Sequence, residues 1–296
     1  MTVSNTEELI GTFSIVAYDP ESGDLGVAVQ SKFLAVGAVV PWARSGVGAV
    51  ATQSWANTTY GPEGLRLMAQ GLTAQEALDK LVEADEDRDR RQAGMVDTRG
   101  NAAAYTGKGC FDWAGHIVGE GFACQGNILV GQETVQAMAR TFEESKGELA
   151  DRLVAALEAG QEAGGDSRGR QSAALLVVRE KGGYGGFNDR YLDLRVDDHP
   201  TPIQELKRLL QLHKLYFFKS KPEDILPLEG RVAREVQEIL SKLGYYSGKI
   251  NGLYDEATNQ ALLNFTSIEN LEERWQEGAY IDPVVLEFMR QKRGAG

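Results

Sequence analysis

Apolar residues recur along this chain at two spacings, and the switch between the two marks out its elements. Residues 13–17 and 25–29 are short apolar runs on either side of Asp19-Pro20-Glu21-Ser22-Gly23-Asp24. Pro and Gly between two such runs are turn chemistry, so the pair reads as a β-hairpin. Residues 46–52, small and β-branched, give a further strand. Pro62 suits a helix's first turn, and Thr73-Ala74-Gln75-Glu76 is a capping box that opens a helix over Ala74–Ala84. Strands follow over residues 92–96 and Ala102–Thr106, around the turn Asp97-Thr98-Arg99-Gly100, and over 122–125. Helical stretches over 133–145 and 148–159 lead into the strongest strand pattern, Ser172–Val178, and a glycine-rich loop then connects to a last strand, Arg190–Val196. Hairpins dominate and no regular strand–helix–strand succession appears. The pattern therefore predicts an α+β fold in which helices cover two antiparallel sheets packed face to face.

The pattern changes at Asp197-Asp198-His199-Pro200. Thr201-Pro202-Ile203-Gln204 is another capping box, opening a helix with Ile203, Leu206, Leu210 and Phe217 on one face. After Pro222 and Pro227, the residues Val236, Ile239, Leu240 and Leu243 recur at helical spacing and stop at Gly244. Beyond the turn at Asn251-Gly252, Asp255 caps a helix carrying Ala257, Ala261, Leu262 and Phe265, and a further helix spans 284–290. The expected organisation is a leader over residues 1–11, an α+β domain over 12–200, a connecting helix and linker over 201–227, and a small all-helical domain over 228–296.

Composition narrows the function classes. The chain is 42% hydrophobic and 25% charged, with a net charge of -12, of which residues 1–200 carry -11 and the remainder -1. That balance disfavours nucleic acid or an anionic membrane as partner, and no apolar stretch is long enough to span a bilayer. The first eleven residues hold neither a basic region nor an apolar core, so the expected address is the cytoplasm. Cys110 and Cys124 have no zinc spacing and read as buried, reduced thiols, and His116, His199 and His213 share no metal-ligand spacing. Neither a metal nor a cofactor is expected.

One residue carries chemistry by position. Thr12 stands directly before the first strand pattern, after Gly11. Once the chain is cut before it, such a threonine supplies both a nucleophilic hydroxyl and an α-amine that accepts its proton. The amine's unperturbed pKa, about 7.7–8.0, leaves a neutral fraction near neutral pH. Threonine also heads strands for packing reasons alone.

Read together, Thr12-Phe-Ser-Ile-Val-Ala17, Ser31-Lys-Phe-Leu-Ala-Val-Gly-Ala-Val-Val-Pro-Trp-Ala43, Gly48-Ala-Val-Ala-Thr-Gln53, Gln125-Gly-Asn127 and Gly165-Asp-Ser-Arg-Gly-Arg-Gln-Ser172 resemble one family. So does the run from Gly186-Phe-Asn-Asp-Arg190 to Pro200. It is domain of unknown function 1028, grouped with the N-terminal-nucleophile (Ntn) hydrolase-like proteins. The resemblance covers roughly residues 12–217. It implies a four-layer αββα sandwich and amide-bond hydrolysis by an N-terminal Thr. In the family's usual form that Thr directly follows the initiator Met; here it lies behind eleven residues. Gly11-Thr12 resembles a junction at which proteasome β precursors cut themselves, which implies autoprocessing. Residues 236–265 resemble peptidoglycan-binding three-helix domains, departing where Asp255 replaces a Gly and Thr266 a Gln. A peptidoglycan fragment is the partner implied, with a contact or oligomerisation module as the alternative and a homo-oligomer as the expected assembly.

Candidate residues follow. Ser31 and Lys32 end the second strand beside Thr12, and period-2 geometry lets only one of them face it. A Lys32 ammonium would keep the amine neutral by like-charge repulsion. Gln53 closes a strand and Asn127 sits at a strand-to-helix junction, where amides can donate to a developing oxyanion. Asp166, Arg170, Asn188, Asp189 and Arg190 flank the last two strands, where an Arg could clamp a substrate carboxylate or pair structurally with an Asp. Two readings stand: an amide hydrolase acting on a small amide or peptide through Thr12, or a non-catalytic binding or assembly protein on the same scaffold.

Overall fold

The computed structural model describes residues 11–294, so the leader expected over 1–11 lies, apart from Gly11, outside the described residues. The chain divides into two compact units, the first ending at Arg208 and the second beginning at Leu209.

In the first unit, β1 (Thr12–Tyr18) and β2 (Leu25–Ser31) pair antiparallel as a hairpin. Its turn is closed by Asp19 N–H donating to the Asp24 carbonyl at 2.9 Å. The remaining strands are β3 (Pro41–Arg44), β4 (Gly48–Ser54), β5 (Arg91–Asp97), β6 (Ala102–Thr106), β7 (Gly115–Gly119), β8 (Phe122–Asn127), β9 (Ser172–Val178) and β10 (Arg190–Val196). They form a six-stranded sheet in the order β10-β9-β2-β1-β8-β7 and a four-stranded sheet in the order β3-β4-β5-β6. Each neighbouring pair in both sheets is antiparallel. Strands β3 and β7 were not expected from sequence. Both lie at sheet edges, where Pro and Gly are tolerated and no apolar alternation is required.

Alternation decides what each face buries. Val16, Val27, Val29, Ala49, Ala51, Val96 and Ala123 gather in one buried cluster between the two sheets. Each such aliphatic contributes about 1.5–3 kcal/mol of burial when it is as large as Val or Leu. The opposite face of β1 meets α3 (Glu133–Glu144) and α4 (Leu149–Glu162), as at Gly160, which Phe13 and Met138 both approach. The opposite face of β4 and β5, with Val50, Ala93 and Met95, packs on α1 (Tyr60–Ala69) and α2 (Ala74–Ala84). The capping box of α2 forms as expected: Thr73 Oγ1 accepts from Glu76 N–H and Glu76 accepts from Thr73 N–H at 2.8 Å.

Helix α5 (Pro202–Phe217) buries Ile203, Leu206 and Leu210, but Phe217, expected on that face, is 47% exposed and rings against His213. The second unit is built on α6 (Gly230–Lys242), α7 (Glu256–Ile268) and α8 (Pro283–Gly294), whose core includes Val236, Ile239, Leu240, Ala261, Leu262 and Phe265. Asp255 caps α7 by accepting from Thr258 N–H at 2.8 Å. The same carboxylate holds the Thr258 hydroxyl, so Thr258 turns inward and Ala257, expected in the core, is exposed. Buried Gln237 is fully engaged, accepting from Asn251 and Gly252 N–H and donating to the Leu253 carbonyl and the Thr258 hydroxyl. Among the described residues no helix is long and apolar enough to cross a membrane.

Candidate active site at the head of the central strand

The layer between the two sheets is apolar along most of its length and polar at one end. The inward positions at that end are Thr12 and Ser14 on β1, Gln53 on β4, Gln92 on β5, and Gln125 and Asn127 on β8, all nearly or wholly buried. These follow from strand period: in each case the inward apolar residue further along the strand, such as Val16, Ala51, Val96 or Ala123, is in phase with them. Buried amides and hydroxyls are stabilised by bonding to one another, and most of these are bonded, although Gln125 Oε1 and Asn127 Oδ1 have no partner. Ser14 donates to Gln53 Oε1 at 2.6 Å and accepts from Gln125 Nε2 at 2.7 Å. Gln92 Oε1 accepts from Gln53 Nε2 at 2.8 Å and Asn127 Nδ2 at 2.9 Å, and its Nε2 donates to the Gly126 carbonyl at 2.8 Å. Gly94 makes room for this crossing, since a Cβ there would sit 2.2 Å from Gln125 Oε1.

Thr12 lies at the edge of the cluster. It pairs with Ser31 on one side and Asn127 on the other. Its hydroxyl is 3.0 Å from the Ser31 hydroxyl, and its own carbonyl accepts from Gln53 Nε2 at 3.3 Å. Thr12 and Gln53 face a cavity of about 230 Å³ walled by Phe33, Val36, Val39, Val40 and Trp55, with Arg91 at its side. Arg91 is tied to Asp85 at 2.9 Å and donates to the Trp55 carbonyl at 2.8 Å. Burial opposes ionisation of Asp85, but hydrogen bonds from Arg91 and Asn57 outweigh it and hold its carboxyl far below the usual range. A larger cavity of about 420 Å³ opens at the other end of β1, around Tyr18, Phe122, Phe142 and Arg152. The smaller one is the better candidate, because buried hydroxyls and amides converge on it.

Of the two candidates ending β2, Ser31 is the one in register with Thr12; the Lys32 side chain is exposed, and its backbone N–H donates to Asp166 Oδ2 at 3.0 Å. Asn127 lies within β8, not at a junction with a helix: α3 begins six residues later, at Glu133. Backbone strain marks the ends of both β8 and β4. Ile128 has a φ of 53°, a left-handed conformation unfavourable to a β-branched residue, and Ser54 after Gln53 has a φ of 66°. Strain of this kind concentrates where a chain is forced to place particular groups. The Ile128 carbonyl accepts from both Ser167 N–H and Ser167 Oγ at 2.9 Å, anchoring the loop that carries Asp166.

Asp166 is buried and binds Arg168, a residue that sequence reasoning missed, through Nη2 at 2.8 Å and Nε at 3.1 Å. Arg168 in turn donates to the Gly11 carbonyl at 3.0 Å. The other flanking candidates lie apart from this cluster's hydrogen bonds. Arg170 is exposed, Arg190 pairs with Asp193, Asn188 accepts from Arg190 N–H, and Asp189 accepts from Ser45 N–H at 2.9 Å. Gln92, Ser14 and Gln125 were also missed. Their signal was available: polar residues at inward-facing strand positions, in phase with apolar ones. Cys110 and Cys124 are both buried and unpaired with each other, and burial pushes both thiols up. Among the described residues no group of three or more His, Cys, Asp or Glu could hold a metal ion.

Residues 12–206 match the "Family of unknown function (DUF1028)", and the chain belongs to that family. Residues 216–289 match the "Putative peptidoglycan binding domain". The crystal structure of SPO2555 from Silicibacter pomeroyi, a DUF1028 protein, is similar at 33% identity, with a TM-score of 0.63 over 69% of this chain and 89% of that one. No curated protein matches the chain.

Proposed function

We propose that the first unit is a four-layer αββα sandwich of the Ntn-hydrolase kind, and that it hydrolyses an amide bond in a small substrate once Thr12 has become N-terminal. The observation that carries this reading is a buried threonine hydroxyl at the head of a central strand, beside a second hydroxyl and on the wall of a cavity. In the proposed reaction the Thr12 hydroxyl attacks the substrate carbonyl and the freed α-amine accepts the proton. Gln53, which lines the cavity, moves one N–H from the Thr12 carbonyl to the oxyanion, while Asn127 holds Gln92 and through it the amide cluster. The apolar walls favour an apolar group on the substrate. The match of residues 216–289 to a peptidoglycan-binding family supports a cell-wall-derived amide or peptide as the substrate class.

The test has two parts. A chain made to begin at Thr12 should release amine from a library of small amides and muropeptides, and Thr12→Ala should release none. Pelleting of the full chain with purified peptidoglycan tests the second unit. An inert Thr12-initiated chain that still pellets with peptidoglycan would overturn the hydrolase reading in favour of the second one, a binding protein on an Ntn-like scaffold. That second reading is favoured by one observation: Thr12 is only 1% exposed.

A further inference from the structure

The bond before Thr12 sits in a built polar site. The Gly11 carbonyl oxygen accepts from Ser31 Oγ at 2.5 Å and from Arg168 Nη2 at 3.0 Å, and Gly11 itself is buried. Neither contact is incidental to a loose loop. Ser31 is fixed in β2 opposite Thr12, and Arg168 is gripped by Asp166, which also takes the Lys32 N–H. The fit leaves no space for a side chain at residue 11: a Cβ would lie 2.8 Å from Asp166 Oδ2 and 2.9 Å from Arg168 Nη2.

Proton accounting then fixes the direction of the hydrogen bond between the two hydroxyls. Ser31 has a single hydroxyl hydrogen, and it is engaged with the Gly11 carbonyl. The 3.0 Å contact between Thr12 Oγ1 and Ser31 Oγ must therefore be donated by Thr12. The result is a chain running from the Thr12 O–H through the Ser31 O–H to the Gly11 carbonyl, with a guanidinium on the same oxygen.

We infer that Ser31 and Arg168 are catalytic residues for self-cleavage at Gly11-Thr12, Ser31 as a hydroxyl proton relay and Arg168 as the charge that polarises the carbonyl. This deepens the proposed function and rests on it. Thr12 Oγ1 bonds to the Gly11 carbonyl carbon as its proton passes to Ser31 Oγ and the Ser31 proton passes to the carbonyl oxygen, giving a neutral five-membered cyclic intermediate. The C–N bond then breaks, the new hydroxyl's proton goes to the departing nitrogen, and an ester joins Gly11 to Thr12. Water attacks the ester carbonyl and the Thr12 C–O bond to the acyl group breaks. The products are a Gly11 carboxylic acid and a Thr12 with free hydroxyl and free amine. No titrating side chain is consumed, which suits a site where the histidines and cysteines lie elsewhere.

The experiment follows release of residues 1–11 by intact mass over time in purified full-length protein, with thermal melting of every variant as the folding control. Wild type should be cut after Gly11 and Thr12→Ala should remain whole. Ser31→Ala should slow cleavage about 10²–10³-fold, the scale of losing a positioned donor or a proton-transfer group. Ser31→Thr, which keeps a hydroxyl, should recover most of the rate, and Arg168→Met should slow it about 10²-fold. A folded Ser31→Ala protein cut as fast as wild type overturns the relay and leaves the hydrolase reading intact. A wild type that stays whole overturns the inference outright, and amide hydrolysis by the Thr12-initiated chain then decides the proposed function separately.

Discussion

Gln30 and Gln92 are the same residue type, both 0% exposed in the first unit, and they differ in what their amides touch. Gln92 accepts from Gln53 and Asn127 and donates to Gly126 and Thr106. Gln30 lies on the other face of the sheet, in register with Phe13, and neither its Nε2 nor its Oε1 has a hydrogen-bond partner. Replacing each by Met conserves shape and removes the amide. For Gln92→Met the loss is several net hydrogen bonds at about 1 kcal/mol each, and the buried Asn127 Nδ2 loses its Gln92 partner, so about 3 kcal/mol is expected. In a unit of roughly 200 residues that corresponds to a fall in Tm of about 6–12 °C. For Gln30→Met the desolvation cost of an unmatched amide disappears, and a gain of about 1–2 kcal/mol is expected. Calorimetric melting of the two variants beside wild type measures the contrast directly. Equal falls in Tm would refute the reasoning, because volume and burial alone would then decide the outcome.

Other expectations follow from single contacts. Gly11→Ala should block self-cleavage while leaving Tm within about 2 °C, since the added methyl displaces Asp166 and Arg168 and the core stays intact; mass and melting check both. Asp85→Asn should cost about 2 kcal/mol through the lost charged bonds to Arg91 and loosen the cavity wall at Trp55, measurable by urea unfolding with tryptophan fluorescence. Because the fold lowers the carboxyl of Asp85, its stabilisation is complete above about pH 4 and declines as pH falls below that. Melting from about pH 5 to pH 2 should therefore show a steeper loss for wild type than for Asp85→Asn. Both cysteines should resist a thiol reagent in the native protein at neutral pH and react fully in denaturant, since burial raises both thiols. Fast labelling of the native protein would contradict this.

What the sequence determined by itself was local. The hairpin of β1 and β2, the capping box at Thr73, the strands Ser172–Val178 and Arg190–Val196, and the helical spacing of Val236, Ile239 and Leu240 all rest on contacts within a few residues or on a period of 2 or 3.6. The prominence of Thr12 was legible for the same reason, since it heads the first strand pattern. Edge strand β3 carries no burial periodicity, and β7 alternates only between half-buried and exposed positions in a run bounded by glycines, so neither could be seen this way. The burial of Thr258 in place of Ala257 was settled by one capping carboxylate.

Only the tertiary structure decided which polar residues meet. Gln92, Gln125 and Ser14 come together because strands from two sheets bring in-phase positions to the same end of one buried layer, across separations of up to 111 residues. Ser31 was preferred over Lys32 by register, which the sequence narrowed to one of two and pairing with Thr12 resolved. Arg168 reaches Gly11 across 157 residues of chain, through a loop pinned by a strained Ile128. A local pattern fixes where a side chain points along its own strand. What it points at depends on chain closure, and that is a property of the folded molecule alone.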